Sequence, residues 1–150
     1  MSLEVSFDDV KIDKLLRGLE ADVPMIINDC LAELGEATFS LSQQRGYVPV
    51  RKGTLKKSGY RRKEGKNFVL GYAAPYAAPQ EYGSRPHIIK PRKKKFLHWS
   101  DGSGEHFAKE VHHPGNRPVG YIRRSWLVVQ SKAPAICKPV IERHIAKARD

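Results

Sequence analysis

Ile26, Ile27, Cys30, Leu31, Leu34, Ala37, Thr38 and Leu41 recur at steps of three and four residues. Only a helix gathers that spacing onto one face, and such a face has to be buried against a second layer. A helix is therefore expected over 22–43, with Asp22 as its cap and Pro24 in its first turn. Glu33 and Glu36 fall on the opposite side, and Gly46 ends the segment. Upstream, Phe7, Val10, Leu15, Leu16 and Leu19 make a looser helical pattern closed by Gly18 and the approach to Pro24. Residues 1–21 thus read as a separate N-terminal helix or arm.

Beyond Arg45 the period changes. Arg45 to Gly53 is rich in Gly, Pro and basic residues and reads as a loop. Leu55 to Lys63 and Asn67 to Ala73 read as two strands joined at Glu64-Gly65-Lys66, a hairpin signal. Pro75 to Gly83 suits one helical turn. His87 to Pro91 and Lys94 to Trp99 are short extended pieces, Asp101-Gly102-Ser103-Gly104 is a turn, and Glu105 to His113 returns as a strand. Tyr121 to Lys132 is expected to be helical. A last helix runs from Ala135, with Pro134 near its start and Pro139 kinking or delaying it. Helices, then strands, then helices predict an α+β fold in a single domain over 1–150, with the helices packed on a small curved antiparallel sheet.

The chain has 150 residues, enough for one core, and no apolar run reaches the roughly 20 residues that span a bilayer. Its start is acidic and lacks the layout of a secretion signal, so synthesis in the cytoplasm is expected. Charge is segregated. Residues 1–43 carry a net −6, residues 44–96 a net +13 and the remainder +4. A basic middle of this kind tracks phosphates or attracts the acidic face of a neighbouring subunit.

No constellation for catalysis emerges. His98, His106, His112 and His113 lie close together, and strands meeting across the 101–104 turn could bring His98 and His106 beside Asp101 or Glu105 as metal ligands. Against that, His112 and His113 would point to opposite faces of a strand, and no established metal-ligand spacing is present. Asp101, Glu105 and Glu110 form no convincing carboxylate set for a nuclease, and Gly102-Ser103-Gly104 lacks the strand-to-helix setting of a nucleophile elbow. The expectation is a non-enzyme without cofactor or metal. Cys30 and Cys137, far apart in a chain with no export signal, are expected to be free thiols buried on helices.

The segment Pro49 to Ser84 holds Pro-Val-Arg-Lys-Gly-Thr-Leu-Lys-Lys-Ser and then Pro75-Tyr76-Ala77 and Glu81-Tyr82-Gly83-Ser84. It resembles the tail-completion, or head–tail joining, proteins of long-tailed bacteriophages and prophages. Members typically carry Pro-x-x-Thr-Gly-x-Leu-x-x-Ser, followed by Pro-Tyr-Ala-x-x-x-Glu-x-Gly-Thr/Ser. Here Gly53-Thr54 stands in the reverse of the usual order. The likeness extends through His113-Pro114-Gly115 and Gly120-Tyr121-Ile122 to the last helix, covering roughly residues 24–149.

The resemblance implies a structural virion protein, assembled as a homo-oligomeric ring at the head-proximal end of the tail. Its partners would be tail-tube or tail-terminator and head-connector proteins, with no membrane involved. Arg51, Lys52, Pro75, Tyr76, Glu81, Tyr82 and Gly83 are the expected subunit or partner contacts. Tyr76 is expected to pack on the sheet, Gly83 to take a positive φ, and Glu81 to pair with Arg51, Lys56 or Arg85. Basic residues interleaved with aromatics, namely Arg61, Arg62 and Lys63 with Arg92, Lys93, Lys94, Lys95 and Trp99, would meet DNA in transit or an acidic partner. The alternative reading is a basic nucleic-acid-binding module using those same residues; the plain one is a solvated, edge-protecting loop over 84–95.

Overall fold

In the computed structural model, which describes residues 9–92 and 94–149, one helix, α1 (Asp9–Ser42), runs through both expected breaks, Gly18 and Pro24. Phe7 lies outside the described residues. A proline inside a helix costs about 3 kcal/mol, partly because it supplies no N–H to the carbonyl four residues earlier. Pro24 and Glu20, whose carbonyl is left without that donor, are both exposed to water. The same arrangement recurs in α5 (Ala133–Arg149), where Pro139 and Ala135 are exposed. Asp22, expected as a cap, instead turns its carboxylate toward His144 of α5 at 4.0 Å.

The fold is α+β, but its strands do not make one curved sheet. They form three separate two-stranded antiparallel ladders. The first is the hairpin β1 (Gly59–Glu64) and β2 (Asn67–Tyr72), turned at Gly65-Lys66. It lies against α1, and β1 is the outer strand, exposed along nearly its whole length. Residues 54–57, expected to begin the first strand, form the short helix α2 (Thr54–Lys57), because Gly53 turns the chain with φ 75° and Leu55 is buried.

The other two ladders are consecutive parts of one long ribbon, residues 84–116. Ser84 and Asn116 form a bridge at its base. Next come β3 (His87–Ile89) paired with β6 (Val111–His113), then a bulge that opens after Ile89, opposite Lys109 and Glu110. Beyond it β4 (Leu97–Asp101) pairs with β5 (Gly104–Ala108) around the expected 101–104 turn. At the base, Gly115 has φ 82°, and a Cβ there would lie 2.2 Å from the Ser84 carbonyl oxygen, so only glycine lets the strands meet.

One core joins Val48, Leu55, Tyr72, Ala74, Ala77 and Tyr121 where the end of α1, the 47–55 loop, α3 (Ala77–Tyr82) and α4 (Tyr121–Ser131) converge. The Tyr121 ring meets Tyr72 edge-on at 4.9 Å between centroids. A second seam runs between α1 and α5. There the nearly inaccessible His144 bonds Asp29 Oδ2 through Nε2 at 3.1 Å. Cys30 and Cys137 are both free and half-buried, and they are neighbours across this seam. Burial first, and then that neighbour, push the Cys30 thiol up to about 11. Among the described residues no helix is long and apolar enough to cross a membrane.

Candidate functional site

Two of the segments in which the resemblance runs, 75–84 and 113–122, are clasped together. Backbone bonds run from Val119 N–H to the Gln80 carbonyl at 2.8 Å and from Gly120 N–H to the Glu81 carbonyl at 3.1 Å. The Tyr121 hydroxyl donates to the Ala77 carbonyl at 3.2 Å. Asn116 adds its side-chain amide to the Pro79 carbonyl at 2.7 Å and accepts from the Ser84 hydroxyl.

Glu81 is the centre of this joint. It is 6% exposed, and its carboxylate accepts the N–H groups of Ile122 and Arg123, both at 2.9 Å. These are orphan donors in the first turn of α4, where the helix dipole also favours negative charge. The expected pairing with Arg51, Lys56 or Arg85 is therefore replaced. Two backbone donors satisfy the carboxylate without drawing a long cation into the core. Gly83 takes the expected positive φ, 80°, and a Cβ there would stand 2.9 Å from the Asn116 carbonyl oxygen.

The predicted contact residues separate into two groups. Arg51, Lys52 and Tyr76 line one cleft of about 540 Å³ with Pro49, Gln80 and Ser100. Tyr76 does not pack on the sheet. Its ring is 44% exposed, because the turn at Pro75 directs it toward the 49–55 loop. Tyr82, at 79%, is the most exposed of the large aromatics and lies around the corner, by Pro118, Arg123 and Leu127. Pro75 is exposed beside Tyr76.

The basic residues do not form one patch. Arg61 pairs with Glu36 at 2.5 Å and lies over the Phe39 ring at 4.8 Å. Arg62 pairs with Glu64 at 2.5 Å and lies over Tyr60 at 5.3 Å. Both cations are thus engaged within the molecule, while Lys63 has no ion-pair partner among the described residues. Arg92, Lys94 and Lys95 are exposed on the ribbon's bulge with no ion-pair partner among the described residues, and Trp99 follows on β4. Lys93 lies outside the described residues. Of the acidic side chains described on α1, Asp22, Asp29 and Glu36 are engaged by His144 and Arg61, and Glu20 and Glu33 have no ion-pair partner among the described residues.

The ribbon also separates the histidines. His106 stands opposite Trp99 and His98 opposite Phe107, so the two histidines occupy different faces. His98 bonds Glu105, whereas His106 Nε2 lies 3.0 Å from Asp101 Oδ1. The Ser103 hydroxyl and N–H, with His106 after them, hold the Asp101 carboxyl below its ordinary 3.8. Among the described residues no group of three or more His, Cys, Asp or Glu side chains is arranged to hold a metal ion.

Sequence reasoning missed Asn116 and Arg124. The first was legible as the residue after a Pro-Gly turn. The second spans from α4 to the Gly46 carbonyl and covers the Tyr47 ring, and no local signal announces that contact. Set against family models, curated proteins and solved structures, the chain finds no match in any of the three.

Proposed function

We propose that this chain is a structural subunit of a phage tail, acting in tail completion and head–tail joining by assembling into a ring at the head-proximal end. The observation that carries the reading is the clasp between 75–84 and 113–122, in which Ala77, Glu81, Ser84, Gly120, Tyr121 and Ile122, all within family-like motifs, take part. A buried carboxylate that caps the first turn of α4 through two backbone donors holds a surface in shape. Beside it, Tyr76, Arg51 and Lys52 line one cleft and Tyr82 stands exposed around the corner, aromatic and basic groups suited to protein contact. Assembly, not chemistry, is the mechanism, and the protein is not an enzyme.

A nucleic-acid reading draws on the exposed Arg92, Lys94 and Lys95. Size-exclusion chromatography with light scattering across salt, with and without a DNA duplex, separates the two. A discrete oligomer without DNA is expected. A monomer that shifts only with DNA, and loses the shift in high salt, overturns the assembly reading.

A further inference from the structure

Between β2, α1 and α4 lies an apolar groove of about 650 Å³, floored by Leu31, Leu34 and Thr38 and walled by Phe68, Leu70 and Trp126. One wall is a strand edge. β2 pairs only with β1, and the bond from Ala73 N–H to the Ser58 carbonyl sets the phase of that ladder. By antiparallel alternation, Gly71 and Val69 exchange bonds with β1, while the N–H and C=O of Phe68 and Leu70 point away from it. No bond from the rest of the described chain meets them. Peptide groups left open along an apolar groove call for an extended segment that adds to the edge. A docked helix would leave them unbonded.

The chemistry of the groove selects the segment. It continues into a small recess lined by Lys63 and Lys66, neither with an ion-pair partner among the described residues. Its complement is therefore extended, apolar and acidic. The ribbon's outer hairpin, 97–108, answers each term. It has no Lys or Arg, and its two carboxylates, Asp101 and Glu105, are exposed although each also meets a histidine of the hairpin. It exposes Trp99 by 40% on one face and Phe107 by 68% on the other, and Phe107, the more exposed, is the aromatic offered to the groove. β5 offers an unpaired outer edge of five residues to the six of β2. Within its own chain the hairpin lies elsewhere, with Ser100 lining the cleft beside the 49–55 loop.

We infer that the β2 groove receives the β4–β5 hairpin of a second copy of this chain by strand addition, with Phe107 entering beside Leu31 and Trp126. Groove and hairpin are different surfaces, so the contact is head-to-tail and repeats until it closes. The inference rests on the assembly reading and supplies its subunit contact.

The test is sedimentation velocity of the full chain over rising concentration, for wild type, Leu31→Glu, Phe107→Asp and a one-to-one mixture of the two variants. Both substituted side chains are exposed, and unchanged thermal unfolding of each variant confirms that the fold is kept. Each variant alone is expected to weaken self-association by at least about thirtyfold. The mixture is expected to form dimers and nothing larger, because one intact groove meets one intact hairpin. Variants that assemble like wild type, or a mixture that stays monomeric while wild type assembles, overturn the hairpin contact and leave the assembly reading standing. A wild-type chain that stays monomeric throughout removes both.

Discussion

The hydroxyl of Tyr72, at the end of β2, lies 2.6 Å from that of Ser42, in the last turn of α1. Gln43 Nε2 donates to the same phenol oxygen at 3.0 Å. Burial holds this phenol above its ordinary 10.0, so it stays protonated and can serve both neighbours. Tyr72→Phe keeps the ring's contacts with Phe39 and Tyr121 but removes both bonds. A loss of about 1–2 kcal/mol is expected, read as a lower urea midpoint with an unchanged slope.

Glu81→Ala uncovers two buried N–H groups at the start of α4 and is expected to cost about 2–4 kcal/mol. Glu81→Gln keeps one acceptor oxygen and should lose roughly half as much. Thermal unfolding of the pair ranks them. A glutamine variant as damaged as the alanine variant would place the effect in packing and not in the cap.

The Asp29 carboxyl is held below its ordinary 3.8, first by its bond to His144 and also by the charge of Lys63. A carboxylate with a depressed folded value stabilises the protein above its unfolded value and loses that contribution as pH falls through the folded one. The α1–α5 seam is therefore expected to keep the Asp29 contribution at neutral pH and to lose it below about pH 4. Urea midpoints measured for wild type and Asp29→Asn should differ at neutral pH and converge in acid.

Cys30, raised to about 11, holds almost no thiolate at neutral pH. Alkylation by iodoacetamide, followed by peptide mass, should be slow at Cys30 in the native protein and rise steeply only as the pH nears that value. Fast neutral labelling of Cys30 would show that the α1–α5 seam opens.

How far the fold could be read from the residues depended on the range of the interaction. The spacing of Ile26 to Leu41, the Glu64-Gly65-Lys66 turn and the 101–104 turn are local, and each produced its element. Continuity through Pro24 was hidden, because whether a proline breaks a helix depends on the solvent exposure of a carbonyl one turn away. The single sheet was wrong for a related reason. Strand patterns do not say which strands meet, and here they meet in three separate pairs. At the candidate site, Glu81 stood out as a lone acid in a basic field. Its partners, however, are backbone groups, and these carry no signature in a sequence.

The base of the ribbon has a practical consequence. Ser84 and Asn116 stand side by side, bridged through their backbones, so the chain leaves the body and re-enters it at nearly one point. The ribbon beyond that base, with Gly115 kept where the strands meet, is thus an exchangeable cassette. A short turn grafted between Ser84 and Asn116 would spare the Glu81 clasp, and hairpins of other lengths could be fitted to the same frame. A lineage under pressure to change what it docks against could rewrite this insert while the helices beneath it stayed as they are.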